Sequence, residues 1–206
     1  MIDINSLKKR WELILDKVNS PYFLDEEFEE FIDMASLTFI NKNAKQFESS
    51  DKISEDFDPL LQEVFLDSDD NGVVLKVDVD AALGGEMLYV ANVSTKKSCG
   101  AYGYVRFCRH NDYYKIIDNS FKKPTDSKPV YRYLQDNINI TPQKKWRVGV
   151  TAIKTPAKVS IANGINSDFD ERTSMKLIQI ALELAGIAVD ETELYQMANA
   201  EEQKLG

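Results

Sequence analysis

Val73-Val74-Leu75-Lys76-Val77-Asp78-Val79-Asp80 is where the hydrophobic period of the chain changes. Val73, Leu75, Val77 and Val79 alternate with Lys76, Asp78 and Asp80, the spacing of a half-buried strand. The next stretch, 82–86, carries Gly84-Gly85 and reads as a turn, and 87–93 as a second strand. Shorter strands are predicted at 102–108 and 113–117, flanked by Gly100, Gly103 and Asn111-Asp112. Residues 121–128 form a loop around Pro124, 130–134 read as strand or turn, and 146–153 as a strand ending before Thr155-Pro156. A series of short strands separated by turn residues predicts a small antiparallel sandwich or barrel.

Outward from this region the period is helical. Towards the N-terminus, Leu7, Trp11, Ile14, Leu15 and Val18 follow candidate caps at Asn5 and Ser6, and Ser20-Pro21 breaks the pattern. Leu24, Phe28, Phe31, Ile32, Ala35 and Phe39 make one stripe of a second helix, with Glu26, Glu27, Glu29, Glu30 and Asp33 mostly off it. Pro59 stands where a further helix can begin, ahead of Leu60, Leu61, Val64 and Phe65. Towards the C-terminus, 172–185 is apolar on nearly every side and Gly186 is placed to end it; Asp190 and Glu193 open a last helix. The expected fold is α+β. A helical segment (1–72) and a second one (161–206), packing back on the first, flank a β-rich insertion (73–160) in one compact subunit.

The chain has 206 residues, 43% apolar and 29% charged, enough to bury a core. No apolar run is long enough to span a membrane, and the first residues lack the apolar core of a signal peptide. Two cysteines make no disulfide framework, and a single histidine leaves His-rich metal sites without ligands. The net charge of −9 conceals a segregation. Residues 1–72 carry 18 acids and 7 bases, 73–160 carry 7 and 15, and 161–206 carry 9 and 3. Such segments pair within a subunit or steer one subunit onto another.

Three sets of residues carry candidate chemistry. Asp67, Asp69 and Asn71 stand at alternate positions before Gly72, with Asp78 further on, the oxygen spacing of a calcium loop. Asp78 is short for the closing bidentate ligand, and the same string reads as an acidic Asn-Gly turn between two elements. Cys108 and His110, with Cys99, invite a thiol or metal site, against the ordinary role of such cysteines as small core residues. The basic middle interleaves aromatics: Arg106-Phe107, Tyr113-Tyr114-Lys115, Phe121-Lys122-Lys123, Tyr131-Arg132-Tyr133 and Lys144-Lys145-Trp146-Arg147. Exposed, these make a single-strand nucleic-acid surface stacking on Trp146 and Tyr133; buried, they fill a β core rimmed by bases. Phosphate-loop, nucleophile-elbow and zincin signatures are absent, so an enzyme is not expected.

Three stretches together resemble a known class. Leu24 to Phe28 with Phe31-Ile32, Ala35, Phe39, Phe47-Glu48 and Pro59-Leu60 is similar to the N-terminal helices of virion structural proteins from Bacteroidetes-infecting phages. Val148 to Val159, with its turn at Pro156, resembles their closing strand. Ser167 to Glu171, leading into Leu177-Ile178, Ala181-Leu182 and Ala185, resembles their acidic loop and C-terminal helix. The resemblance is to the ring, or head-to-tail connector adaptor, proteins of crAss-like phages. The resemblance implies a non-enzymatic virion protein, assembled in the host cytoplasm into a homo-oligomeric ring, commonly twelve-fold, of the neck. It implies a portal protein and neighbouring ring or tail proteins as partners, DNA enclosed without sequence-specific binding, no membrane and no cofactor, calcium at the Asp67 loop aside. Phe28, Phe31, Ile32, Ala35, Leu177, Ile178, Leu182 and Leu184 are then core or assembly-contact positions, two roles the sequence does not separate.

Overall fold

The computed structural model describes residues 1–17, 22–44, 55–97 and 100–187. Val18, the Ser20-Pro21 break, most of the polar stretch after Asn41, Phe47-Glu48, Cys99 and the helix expected from Asp190 lie outside them. The chain forms two compact units, one from residues 1–60 with 156–206 and one from 61–155. The fold is α+β, with helices before and after a sheet-rich insertion.

The helical unit is built on α1 (Ile4–Lys17), α2 (Asp25–Asn43) and α5 (Ser174–Leu184). Asp3 caps α1 in place of Asn5 or Ser6: its carboxylate accepts the Ser6 N–H at 2.9 Å. The stripe Ile4, Leu7, Trp11, Ile14 and Leu15 is buried. The Trp11 ring packs edge-on against Phe23 and Phe28 and over Phe31, with centroids 5.7–6.2 Å apart. On α2, Phe28, Ile32, Ala35, Ser36, Phe39 and Ile40 are buried, and α5 packs back on this helix through Leu177, Ile178, Ala181 and Leu182. Phe169, fully buried, meets Phe39 edge-on at 5.6 Å, and Phe57 closes the cluster from the other side of Phe39.

Two acids of α2 do more than face solvent. Asp33 accepts the Val159 N–H at 3.0 Å and Glu29 accepts that of Ile161, pinning the segment that returns from the insertion. Burial pushes the Asp33 carboxyl above its ordinary range, against the pull of the Val159 bond. Asp170 caps the short 3-10 turn Glu171–Thr173 that leads into α5, and Gly186, in the left-handed region, ends α5 as expected.

The insertion begins at Leu61. Residues 61–67, expected to continue a helix, form strand β1 (Leu61–Asp67), because each residue from Leu61 to Asp67 finds a partner on β8 (Arg147–Lys154). β8 also pairs with β3 (Met87–Lys96), and β3 with β4 (Tyr102–Tyr104), giving the order β1-β8-β3-β4. The second sheet runs β2 (Val73–Val74), β7 (Asn137–Thr141), β6 (Val130–Leu134) and β5 (Arg106–Phe107), with β5 and β6 parallel and its other pairs antiparallel. Both sheets contribute to one core: Val64, Val90, Val93, Val148 and Val150 from the first, Val74, Tyr131, Ile138 and Ile140 from the second.

Two expected strands are helices. Of the opening alternation, Val73–Val74 alone pair as a strand; Lys76–Leu83 is α3, which places Val79 and Leu83 in the core and leaves Val77 exposed. The residues expected as a strand at 113–117 belong to α4 (His110–Ile117), whose Tyr113 packs with Cys108 and Val130 on the outer side of the second sheet. Arg132 lies 3.6 Å over the Tyr113 ring, and the Tyr113 hydroxyl bonds Thr141 at 3.0 Å. No helix among the described residues is long and apolar enough to cross a membrane.

Gly72 joins β1 to the second sheet. Its φ is +79°, its carbonyl accepts the Ile140 N–H at 2.8 Å, and a Cβ there would stand 2.5 Å from the Ile140 carbonyl oxygen. Gly72→Ala therefore meets both left-handed backbone strain and a backbone clash, and should destabilise the chain by about 2 kcal/mol or more. Urea unfolding measures this; a loss below about 0.5 kcal/mol would mean that the turn relaxes freely.

Candidate functional site

The proposed calcium ligands stand in different elements. Asp67 ends β1 and pairs with Arg147 at 3.3 Å. The Asp69 carboxylate accepts the N–H groups of Asn71 at 2.9 Å and Val73 at 2.7 Å. Asp78 lies in the first turn of α3. The string is thus a turn between two strands, capped by the Asp69 side chain. Among the described residues, no three His, Cys, Asp or Glu side chains are gathered as a metal ion would need.

Cys108 and His110 likewise part company. Cys108 is buried beneath α4, and burial pushes its thiol above the ordinary 9.0, the direction opposite to an activated nucleophile. His110 opens α4, exposed, with its ring edge-on to Tyr114. A strand would have turned both side chains to one face; the helix start separates them. The stripe residues of α2 and α5 are also accounted for. Phe28, Ile32, Ala35, Leu177, Ile178 and Leu182 are buried in the core of the helical unit, and Phe31 packs with Trp11 and Phe23. Leu184 alone of the set is 39% exposed.

The aromatic residues of the basic region sort into two groups. Trp146 is 5% exposed; its indole N–H donates to the Pro142 carbonyl and its backbone N–H to Ser68. Tyr131 lies in the core, and Tyr133, 37% exposed, packs its ring against Tyr131 and Phe107. Tyr104, 64% exposed, and Phe121, fully exposed, stand further into solvent. Leaving a phenylalanine ring in water forgoes roughly 1.5–3 kcal/mol available from its burial.

Both exposed rings line a cleft of about 750 Å³ in the insertion. It is lined by residues of β4, β5 and the start of β6, and by α4 with the loop after it. Arg106, Lys115, Lys122, Lys123 and Lys128 face it, against a single carboxylate, Asp112, which pairs with Lys115 at 3.3 Å. Arg106, Lys122, Lys123 and Lys128 have no carboxylate partner among the described residues. The loop holds its shape without them. Asn119 accepts the Phe121 N–H on its side chain at 2.9 Å and those of Lys122 and Lys123 on its carbonyl, while Pro124 and Pro129 are buried. Loop chemistry and anchored prolines thus present bases and a ring to solvent on a fixed frame.

The bases of this cleft and Phe121 are visible in the sequence pattern, whereas Tyr104, with no adjacent base, is not. No protein-family model matches the chain, and no curated protein matches it.

Asp69 offers a test of the turn. Its hydrogen bonds, that from Val73 first, hold its carboxyl below the ordinary 3.8. A depressed carboxyl stabilises the fold above its unfolded pKa, and that contribution fades as pH falls through the folded value. Asp69→Ala should therefore melt below the parent chain at pH 7, the gap narrowing toward pH 3, with millimolar calcium moving neither curve. A calcium-dependent rise lost in Asp69→Ala would restore the metal loop.

Proposed function

We propose that the chain is a non-enzymatic structural subunit, one that forms a homo-oligomeric ring in the head-to-tail connector of a tailed phage. The observation that carries this reading is the charge carried by each unit. The helical unit holds 23 acids and 11 bases, and the insertion 11 acids and 14 bases. A closed ring is built from heterologous contacts, which need two different complementary surfaces on every subunit. Two units of opposite sign in one chain supply such a pair.

The resemblance of the N-terminal stripe, the closing strand and the acidic loop to connector proteins points the same way. In this reading the stripe residues act as core, fixing the shape of the unit, and contact between subunits falls to charged surfaces and exposed positions such as Leu184. The portal and neighbouring rings are the partners, and the enclosed DNA is passed, not read.

Quantitative mass spectrometry of purified virions from the source of this sequence tests the reading directly. Copies of the chain should equal those of the portal protein or a small multiple of them. Native mass spectrometry of the purified protein adds a second arm: rings held by unlike charges should fall apart as ionic strength rises through the range where surface charges are screened. Absence of the chain from virions would end the proposal.

A further inference from the structure

We infer that the cleft between α4, its following loop and strands β4–β5 binds single-stranded nucleic acid. This goes beyond the connector reading and does not depend on it. Five bases facing one paired carboxylate repel one another and raise the local potential, so the occupant that fits is a polyanion. The aromatic rings decide which polyanion. Phe121 stands fully in water, and Tyr104, 64% exposed, lines the same cleft. An acidic protein surface gives such rings nothing to stack on, whereas unpaired bases stack on any aromatic face while their phosphates follow the lysines. Duplex DNA keeps its bases covered and would meet only the charges.

The geometry also gives the strand a path. Tyr102 and Tyr104 are two apart on β4 and so share a face of the first sheet. There the Tyr102 ring meets Phe65 of β1, 44% exposed, at 4.9 Å, and Phe65 lies across Gly149 of the neighbouring strand β8. Exposed rings thus continue from the cleft onto the sheet, a run of platforms rather than one. Asp126, the acid inside the basic loop, pairs with Lys144 at 2.6 Å and does not line the cleft.

Fluorescence anisotropy of the full chain with labelled oligothymidylate of about 20 nucleotides tests the site. Binding at low salt should weaken with ionic strength at a log–log slope of about −3 to −4, as five cation–phosphate contacts to a single strand predict. Lys122→Ala with Lys123→Ala should reduce that slope by about 1.4. Phe121→Ala, at a fully exposed position, should leave the circular dichroism spectrum and the slope unchanged yet weaken binding roughly tenfold. Lys145→Ala, outside the cleft, should change affinity less than twofold. Three results would overturn the inference: no binding at about 50 mM salt; equal losses for Lys145 and the cleft lysines; or competition by polyglutamate as strong as by oligothymidylate, with Phe121→Ala silent. The last would assign the cleft to an acidic protein surface.

Discussion

The pairing of β8 with β1 on one side and β3 on the other is the constraint on which the insertion depends. Leu61 stands opposite Ile153, so the first and last strands of the unit are neighbours and its two ends lie side by side. A segment with adjacent ends can be carried between two halves of another unit without stretching either half. Once β8 is central, Val148, Val150 and Ala152 face inward between the sheets, and the second sheet has an apolar surface to close upon. Gly72 permits the crossing from β1 to the second sheet, and the Ser68–Trp146 backbone pair ties down the other end of the same corner.

The helical unit depends on its returning segment in a comparable way. Residues 156–173 contribute few apolar side chains, yet Phe169 fills the centre between Phe39 and the helices, and Ile2 bridges Ser167 by two backbone hydrogen bonds of 3.1 Å. Acids of α2 hold the backbone of that segment at Val159 and Ile161. An acidic face that reads as solvated in isolation is partly a fastening. The same charges that leave this unit strongly negative also position its C-terminal half.

How much of this was legible in the sequence varies by element. Strands β3 and β8 and helix α5 are long and strongly patterned, and pattern located them. The alternation at Val73 misled because Val79 and Leu83 are also four apart, and two turns of helix are too short for either period to dominate. Tyr113 and Ile117 favour strands by propensity; docking of Tyr113 on Val130 and Arg132 overrides that preference. β7 has clean alternation in Asn137-Ile138-Asn139-Ile140, but its turn uses Gln135 and Asp136 at positive φ, without the glycine that announces such hairpins. Of the candidate site, the bases and Phe121 belong to the basic-aromatic pattern of the sequence, whereas Tyr104 stands outside it. Exposure separates Phe121 from Trp146, and exposure is a property of the assembled sheets.

The strength of the positive charge in the cleft depends on where two carboxylates go. Asp126 lies in sequence among Lys122, Lys123 and Lys128, and a loop in which it faced those lysines would lose one of its three positive charges. Instead Lys144, from the segment before β8, takes it at 2.6 Å while also lying 4.1 Å over the Trp146 ring. Trp146 is held in turn by Pro142 and Ser68. Trp146, buried in the core, therefore supports the cleft indirectly: it seats Lys144, Lys144 draws off Asp126, and the cleft bases are left facing solvent. Asp112 alone remains, and its pairing with Lys115 lowers the charge of the cleft without reversing it. A surface kept positive by this arrangement, inside a chain of net charge −9, is one on which anions concentrate while the rest of the molecule repels them.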